Sequence, residues 1–235
     1  MKTFDLNLLS RECVRNLTPY STARDEFEDE ALIKLDANEN PFDSAYNRYP
    51  DPYQKDLKDA IAKLKKVEAE QIFLGNGSDE AIDLLFRAFC NPGKDNVVSI
   101  APSYGMYKVS AGINDVELRL APLNDDFSLN LENVNDQIDG NTKMIFLCSP
   151  NNPSGNVMNT DLVKSIADSF EGLVVIDEAY IDFSQFDSWI RQIETYPNIV
   201  VLQTFSKAYG LAALRLGMTF GTPDLIRILN KIKPP

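Results

Sequence analysis

The sequence predicts an α/β fold in which a mostly parallel sheet is flanked by helices on both faces. Two observations predict it. Short apolar, β-rich runs bounded by turn residues recur along the chain, and the segments between them carry apolar residues three and four positions apart. The runs fit buried strands and the segments fit covering helices. That alternation is the pattern of a parallel sheet with helices packed on each side.

In chain order the pairs are QIFL (71–74) with SDEAIDLLFRAF (78–89), NVVSI (96–100) with SYGMYKVSA (103–111), and KMIFLC (143–148) with MNTDLVKSIADSF (158–170). Two more strand-like runs, LVVID (173–177) and IVVLQTF (199–205), precede a helix-like TPDLIRILNKI (222–232). Residues 1–33 are different. They are polar and carry an acidic patch at Asp25, Glu26, Glu28, Asp29 and Glu30, which reads as the solvated face of an N-terminal arm outside the sheet. Ligands on a sheet of this type bind beyond the C-terminal ends of its strands, so the residues just after each run are the candidates for chemistry.

Composition narrows the chemistry further. The 235 residues are 44% hydrophobic and 25% charged, which is ordinary for a globular chain. A net charge of −12 repels nucleic-acid phosphates and anionic membrane surfaces alike. No apolar run approaches the ~20 residues needed to span a bilayer. The N-terminal MKTFDLNLLSREC is interrupted by Asp5, Asn7 and Arg11, unlike a secretory signal. Cys13, Cys90 and Cys148 are far apart and odd in number, as expected of reduced thiols in a cytoplasmic protein, with Cys148 a core residue. There is no histidine, which removes Ser-His and Cys-His nucleophile pairs and His-based metal sites, and no CxxC replaces them. No metal is expected. The chemistry falls to Lys, Asp, Tyr, Arg, Asn and backbone groups, or to a cofactor.

Four segments follow or end a strand-like run. GNGSDE (75–80) joins QIFL to a helix. Its glycines allow a tight turn and its helix start offers N–H groups to a phosphate, while Ser78 also suits a plain N-cap with Asp79 and Glu80 in the first turn. SPNNPSG (149–155) follows KMIFLC and reads either as a structural loop or as amide donors held where ligands bind. Asp177 closes the apolar run LVVI, with Tyr180 three residues on. A carboxylate there is costly unless paired, and a cofactor's pyridinium nitrogen is one such partner; capping the next turn is the other reading. In TFSKAYGLAALRLG (204–217), Lys207 lies just past a strand end in a stretch with few charges, and Arg215 lies eight residues on. A lysine in a low-dielectric site becomes a nucleophile for aldehydes, and an arginine can hold a phosphate by two parallel bonds. A solvent-facing Lys207 is the plain alternative.

Taken in order, the Gly-rich turn, an aromatic at Tyr104, the Asn-Pro loop, the strand-end Asp with its Tyr, the Ser-Lys pair and the Arg form a set. This set resembles the aspartate-aminotransferase-like enzymes of fold type I, which use pyridoxal 5′-phosphate (PLP). LTPY (17–20), LDANENP (35–41), RYPDP (48–52) and FSKAYGLAALRLG (205–217) narrow the resemblance to the histidinol-phosphate aminotransferases, over essentially the whole chain. The resemblance implies a fold-type-I PLP-dependent transferase that is cytoplasmic and homodimeric. The implied reaction is transamination of L-histidinol phosphate with 2-oxoglutarate in histidine biosynthesis. It further implies that Lys207 would carry the cofactor on its amine and later move the proton between the substrate Cα and the cofactor carbon. Asp177 would pair with the ring nitrogen, Tyr180 and Asn152 would sit at the phenolic oxygen, and Tyr104 would stack on the ring. Gly77, Ser78, Asp79, Ser206 and Arg215 would hold the phosphate, joined by Tyr49 from the neighbouring subunit. Tyr20, Asn38 and Asn152 would lie near substrate.

The same resemblance sets domain expectations. Residues 1–33 would be an arm that belongs to the small domain, residues 34–235 would form the PLP-binding large domain, and the C-terminal small domain of the family, with its substrate-binding arginines, would be missing beyond KIKPP. A threonine-phosphate decarboxylase, an aromatic aminotransferase and a non-catalytic PLP-binding fragment share the same four motifs and stay open at this point.

Overall fold

The structure, a computed structural model, describes residues 4–19, 37–42 and 44–234; the acidic patch and Tyr20 lie outside that range. Two single-turn helices, α1 (Leu6–Leu9) and α2 (Glu12–Arg15), precede α3 (Lys55–Lys65). The sheet strands and their covering helices then alternate: β1 (Ile72–Asn76), α4 (Ser78–Phe89), β2 (Asn96–Ala101), α5 (Met106–Ile113), β3 (Glu117–Pro122), α6 (Leu131–Asp136), β4 (Thr142–Cys148), α7 (Thr160–Ser169), β5 (Leu173–Asp177), β6 (Ile199–Thr204), β7 (Leu216–Phe220) and α8 (Pro223–Ile232).

The seven strands form one sheet in the order β1-β7-β6-β5-β4-β2-β3. Strands β3, β2, β4, β5 and β6 run parallel, and β7 is antiparallel to both of its neighbours, β6 and β1. The expected α/β class and mostly parallel sheet are therefore observed. Side chains of β4, β5 and β6 are buried on both faces, which is why their sequences are continuous apolar runs rather than alternating ones. Ile145, Val174, Ile176 and Val201 point to one core with Ile61, Val163 and Ile166, whereas Phe146, Val175, Val200 and Leu202 point to the other with Leu84, Tyr107 and Leu225. Helices α4, α5 and α8 cover the second face, and α3, α6 and α7 the first.

Local signals set the helix ends. Asn159 caps α7 by accepting from Asp161 and Leu162, and Thr222 caps α8 ahead of a first-turn Pro223. Buried Leu225, Ile226 and Leu229 fall at helical spacing on one face of α8. One expected cap is corrected. Ser78 is not the N-cap of α4; it is the first helical residue, and Gly77 precedes it with φ of 77° and no side-chain cap. Two strands gave no signal in the sequence reading. β3 is an edge strand with mostly exposed or half-exposed residues, and β7 is five residues with a glycine at its second position.

Candidate active site

The last residues of β2, β4, β5 and β6 are Ala101, Cys148, Asp177 and Thr204, and they end along one edge of the sheet. Because β7 runs the other way, its first residue, Leu216, starts at that edge, and the segment between β6 and β7 crosses it. A cavity of about 180 Å³ opens there. It gathers ten of the residues singled out in the sequence: Gly77, Ser78, Asp79, Tyr104, Asn152, Asp177, Tyr180, Ser206, Lys207 and Arg215. Tyr49 lies outside this cavity, 70% exposed, and Asn38 is an exposed loop residue with φ of 52°.

At one end the cavity is built to take an anion. Among the described residues no side chain caps α4, whose first residues Ser78 and Asp79 line the cavity, and a helix start favours negative charge. The turn is tied across to β7, since the Gly77 amide donates to the Arg215 carbonyl at 2.8 Å. Arg215 itself adopts a left-handed backbone, with φ of 51°, and an added Cβ at Gly77 would sit 2.8 Å from its Nη2. An arginine held against a glycine at a helix start is an arrangement that can hold an anion. Gly217 lets β7 come this close: a Cβ there would fall 2.2 Å from the Gly77 carbonyl carbon.

The floor is acidic. Asp177 is 2% exposed; its Oδ1 accepts from the Ala179 amide at 3.1 Å and its Oδ2 from the Tyr107 hydroxyl at 2.7 Å. Burial raises its carboxyl above the usual carboxylate range, opposed by those two hydrogen bonds. Cys148 is buried as expected but also lines the cavity, and burial beside the Asp177 charge pushes its thiol up to about 12. On one wall the Tyr104 hydroxyl donates to Asp79 at 3.1 Å; burial, then the Asp79 carboxylate, pushes that phenol up to about 12. On the other wall the Lys207 Nζ lies 5.6 Å from the Tyr180 ring centre.

Asn151 and Asn152 divide the work of their loop. Asn151 is buried, accepts from Ser103 at 2.9 Å and donates to the Pro102 carbonyl and Ser154 at 3.0 and 2.7 Å. Asn152, next to it, lines the cavity. A second hollow of about 700 Å³ adjoins the first, shares Asn152 and Tyr180 with it, and is walled by Phe183 and Phe186. The sequence reading missed Thr204, whose Oγ accepts from the Ser206 amide, and Tyr107. The available signal for Tyr107 was a second tyrosine three residues after Tyr104.

Sheet and cavity together define the class: residues 29–235 match the family described as aminotransferase class I and II. Within that class, the chain is 56% identical to a histidinol-phosphate aminotransferase of Flavobacterium johnsoniae, over 100% of this chain and 68% of that one. It is 57% identical to the enzyme of the same name from Parabacteroides distasonis, over 98% and 67%. The crystal structure of histidinol-phosphate aminotransferase from Sinorhizobium meliloti in complex with pyridoxal-5′-phosphate superposes with a TM-score of 0.72 at 29% identity, covering 79% of this chain and 52% of that one. The chain belongs to the histidinol-phosphate aminotransferase family. It spans about two thirds of the length of those curated relatives and about half of the solved chain.

Proposed function

We propose that this chain binds PLP in the cavity at the sheet edge and carries the cofactor-binding part, residues 34–235, of a transaminase. Its amino donor would be L-histidinol phosphate and its acceptor 2-oxoglutarate, in cytoplasmic histidine biosynthesis. One observation supports the reading: a single cavity is lined by an amine, Lys207, a buried carboxylate, Asp177, the start of α4 and Arg215. That donor set fits PLP, which has an aldehyde, a basic ring nitrogen and a phosphate. When bound, PLP supplies an electrophilic carbon and an electron sink for a substrate that loses its Cα proton.

The residues of this chain do the rest. Lys207 offers a nucleophilic amine that also serves as proton carrier at the substrate Cα. Asp177 places negative charge where a ring nitrogen must keep its proton. Gly77, Ser78 and Asp79 offer the start of α4, and Ser206 and Arg215 add a hydroxyl and a guanidinium, to hold a phosphate dianion. Tyr104 offers a ring face, and Tyr180 and Asn152 offer a hydroxyl and an amide at the phenolic side. Tyr20 and Asn38 belong to the proposed substrate surroundings.

Borohydride reduction of the PLP-loaded protein is expected to fix the cofactor on Lys207 alone, read by peptide mass mapping. Lys207→Ala is expected to lose the visible absorption band, and L-histidinol phosphate is expected to convert that band in the parent. Label on another lysine, such as Lys143 or Lys164, would refute the site.

The homodimer is part of the same proposal. Tyr49 stands in a stretch where Phe42, Tyr46 and Tyr53 are also exposed, an apolar surface that suits burial against a second copy. Mixed Tyr49→Phe and Lys207→Ala chains should regain activity through hybrid sites with both residues intact. No recovery despite proven subunit exchange would show that Tyr49 does not act across an interface.

A further inference from the structure

Asp177 needs more than its place at the end of β5 to do what the PLP reading asks of it. A carboxylate this deeply buried tends to take up a proton and become neutral, and a neutral acid cannot hold a ring nitrogen protonated. Its rotation about the side chain must also be fixed so that one oxygen edge faces the cavity. Two donors touch it among the described residues. The Ala179 amide is set by the turn after β5. The Tyr107 hydroxyl comes from a different element, α5, seventy positions earlier in the chain.

Tyr107 is placed as a fixed strut. It is 1% exposed, and its ring stacks on Phe146 of β4 with centres 4.8 Å apart and meets Tyr104 edge-on at 5.6 Å. Phe146 is in turn stacked on Phe86 of α4. The ring therefore has no freedom to swing its hydroxyl elsewhere, and a phenol in such a core needs a polar partner. Asp177 is that partner, at 2.7 Å.

We propose that Tyr107 is a positioning residue for Asp177: its hydroxyl fixes the orientation of the carboxylate and holds it in the charged form. This rests on the PLP reading of the cavity. The surrounding groups leave that task to Tyr107. Asp79 disfavours a second negative charge at Asp177, and Lys207 favours it more weakly. The Cys148 thiol and the Tyr104 and Tyr107 phenols are all pushed up by burial and stay protonated at neutral pH. Tyr107 is thus a donor throughout the working range rather than a competing acid.

The test is Tyr107→Phe, which removes one oxygen and keeps the ring packing. In the full chain without cofactor, labelled with ¹³C at aspartate carboxyls and assigned by loss of one signal in Asp177→Asn, the Asp177 carboxyl should titrate at higher pH in Tyr107→Phe. Replacement of Tyr107 by 3-fluorotyrosine, a stronger donor of nearly the same size, should move it to lower pH and decides the matter if the phenylalanine variant does not fold. With PLP labelled at the ring nitrogen with ¹⁵N, Tyr107→Phe should show less ring-nitrogen protonation at a given pH. In a protein that turns over, kcat should fall roughly tenfold with KM little changed, the size of one charged hydrogen bond. An Asp177 titration that does not move in either variant would overturn the proposal, as would one that moves while the ring-nitrogen signal stays put. A parent that binds no PLP would instead refute the reading of the cavity, and the cofactor-free titration would still decide whether Tyr107 governs Asp177.

Discussion

A single methyl group separates two outcomes at the glycines of this chain. Gly217 faces the turn before α4 so closely that Gly217→Ala must push Gly77 and Ser78 aside; overpacking of this kind costs about 1–3 kcal/mol. Gly112 of α5 has open space around it, and Gly112→Ala is expected to stabilise by up to about 1 kcal/mol through helix propensity. Thermal melts should therefore move in opposite directions, and only Gly217→Ala should also weaken PLP retention. Glu178 gives a pH signature. It is buried beside Asp177 and accepts from Ser188, the Trp189 amide and Gln203, yet burial raises its carboxyl from 4.5 to about 7. The folded state then holds the proton more tightly than the unfolded one, so stability falls as pH rises from about 4.5 to 7 and is flat above. At about 1.4 kcal/mol per unit the loss is on the order of 3 kcal/mol. Glu178→Gln should remove this slope between pH 4.5 and 7, since an amide does not titrate. A melting profile as steep as the parent's would count against it. At this scale Asp177 was legible because a carboxylate is unusual at the end of a buried apolar strand, whereas Lys207 is exposed, the ordinary place for a lysine, and stood out only through the order of the motifs around it. Tyr107 and Glu178 were not, because their importance lies in contacts with elements far along the chain.

Among the elements, the loop SPNNPSG shows how adjacent identical residues come to differ. Asn151 faces inward and knits the loop to Pro102 and Ser103, while Asn152 faces the cavity. Asn151→Ala leaves several buried polar groups short of a partner and is expected to cost about 2–3 kcal/mol of stability. Asn152→Ala is expected to melt close to the parent and to lose cofactor affinity instead. Equal loss of stability in both would contradict this division. The sequence could place the loop after β4 but could not tell the two asparagines apart, because that depends on which way each side chain turns at the loop. The same limit explains Ser78: a serine at a helix start suits an N-cap, but the cap position falls on Gly77, whose φ of 77° and closeness to the Arg215 guanidinium favour glycine there. The strands buried on both faces announced themselves through apolar runs, whereas β3 and β7 lacked that signature.

For the molecule as a whole, the alternation of runs and helical segments was enough to give the class of fold, and the four short motifs named residues that the fold brings to one cavity. Strand order was not legible, since nothing local in LGMTF says that it will slot between two strands whose sequences lie on either side of most of the chain. That placement has a consequence in time. β1, near the start of the sheet-forming sequence, waits for β7, some 140 residues later, before it has a neighbour, and the amide of Gly77 finds its acceptor only when Arg215 arrives. Contacts this distant in sequence form late in folding. The ability to retain cofactor should thus be the last property a growing chain acquires. Nascent chains halted before Phe220 should lose PLP on washing even with Lys207 already made, and those halted well beyond it should keep it. Equal retention by both would mean the cradle matures without its closing strand. In a cell, PLP would then act as an inspector of finished sheets, fastening itself only to chains that have already threaded their last strand home.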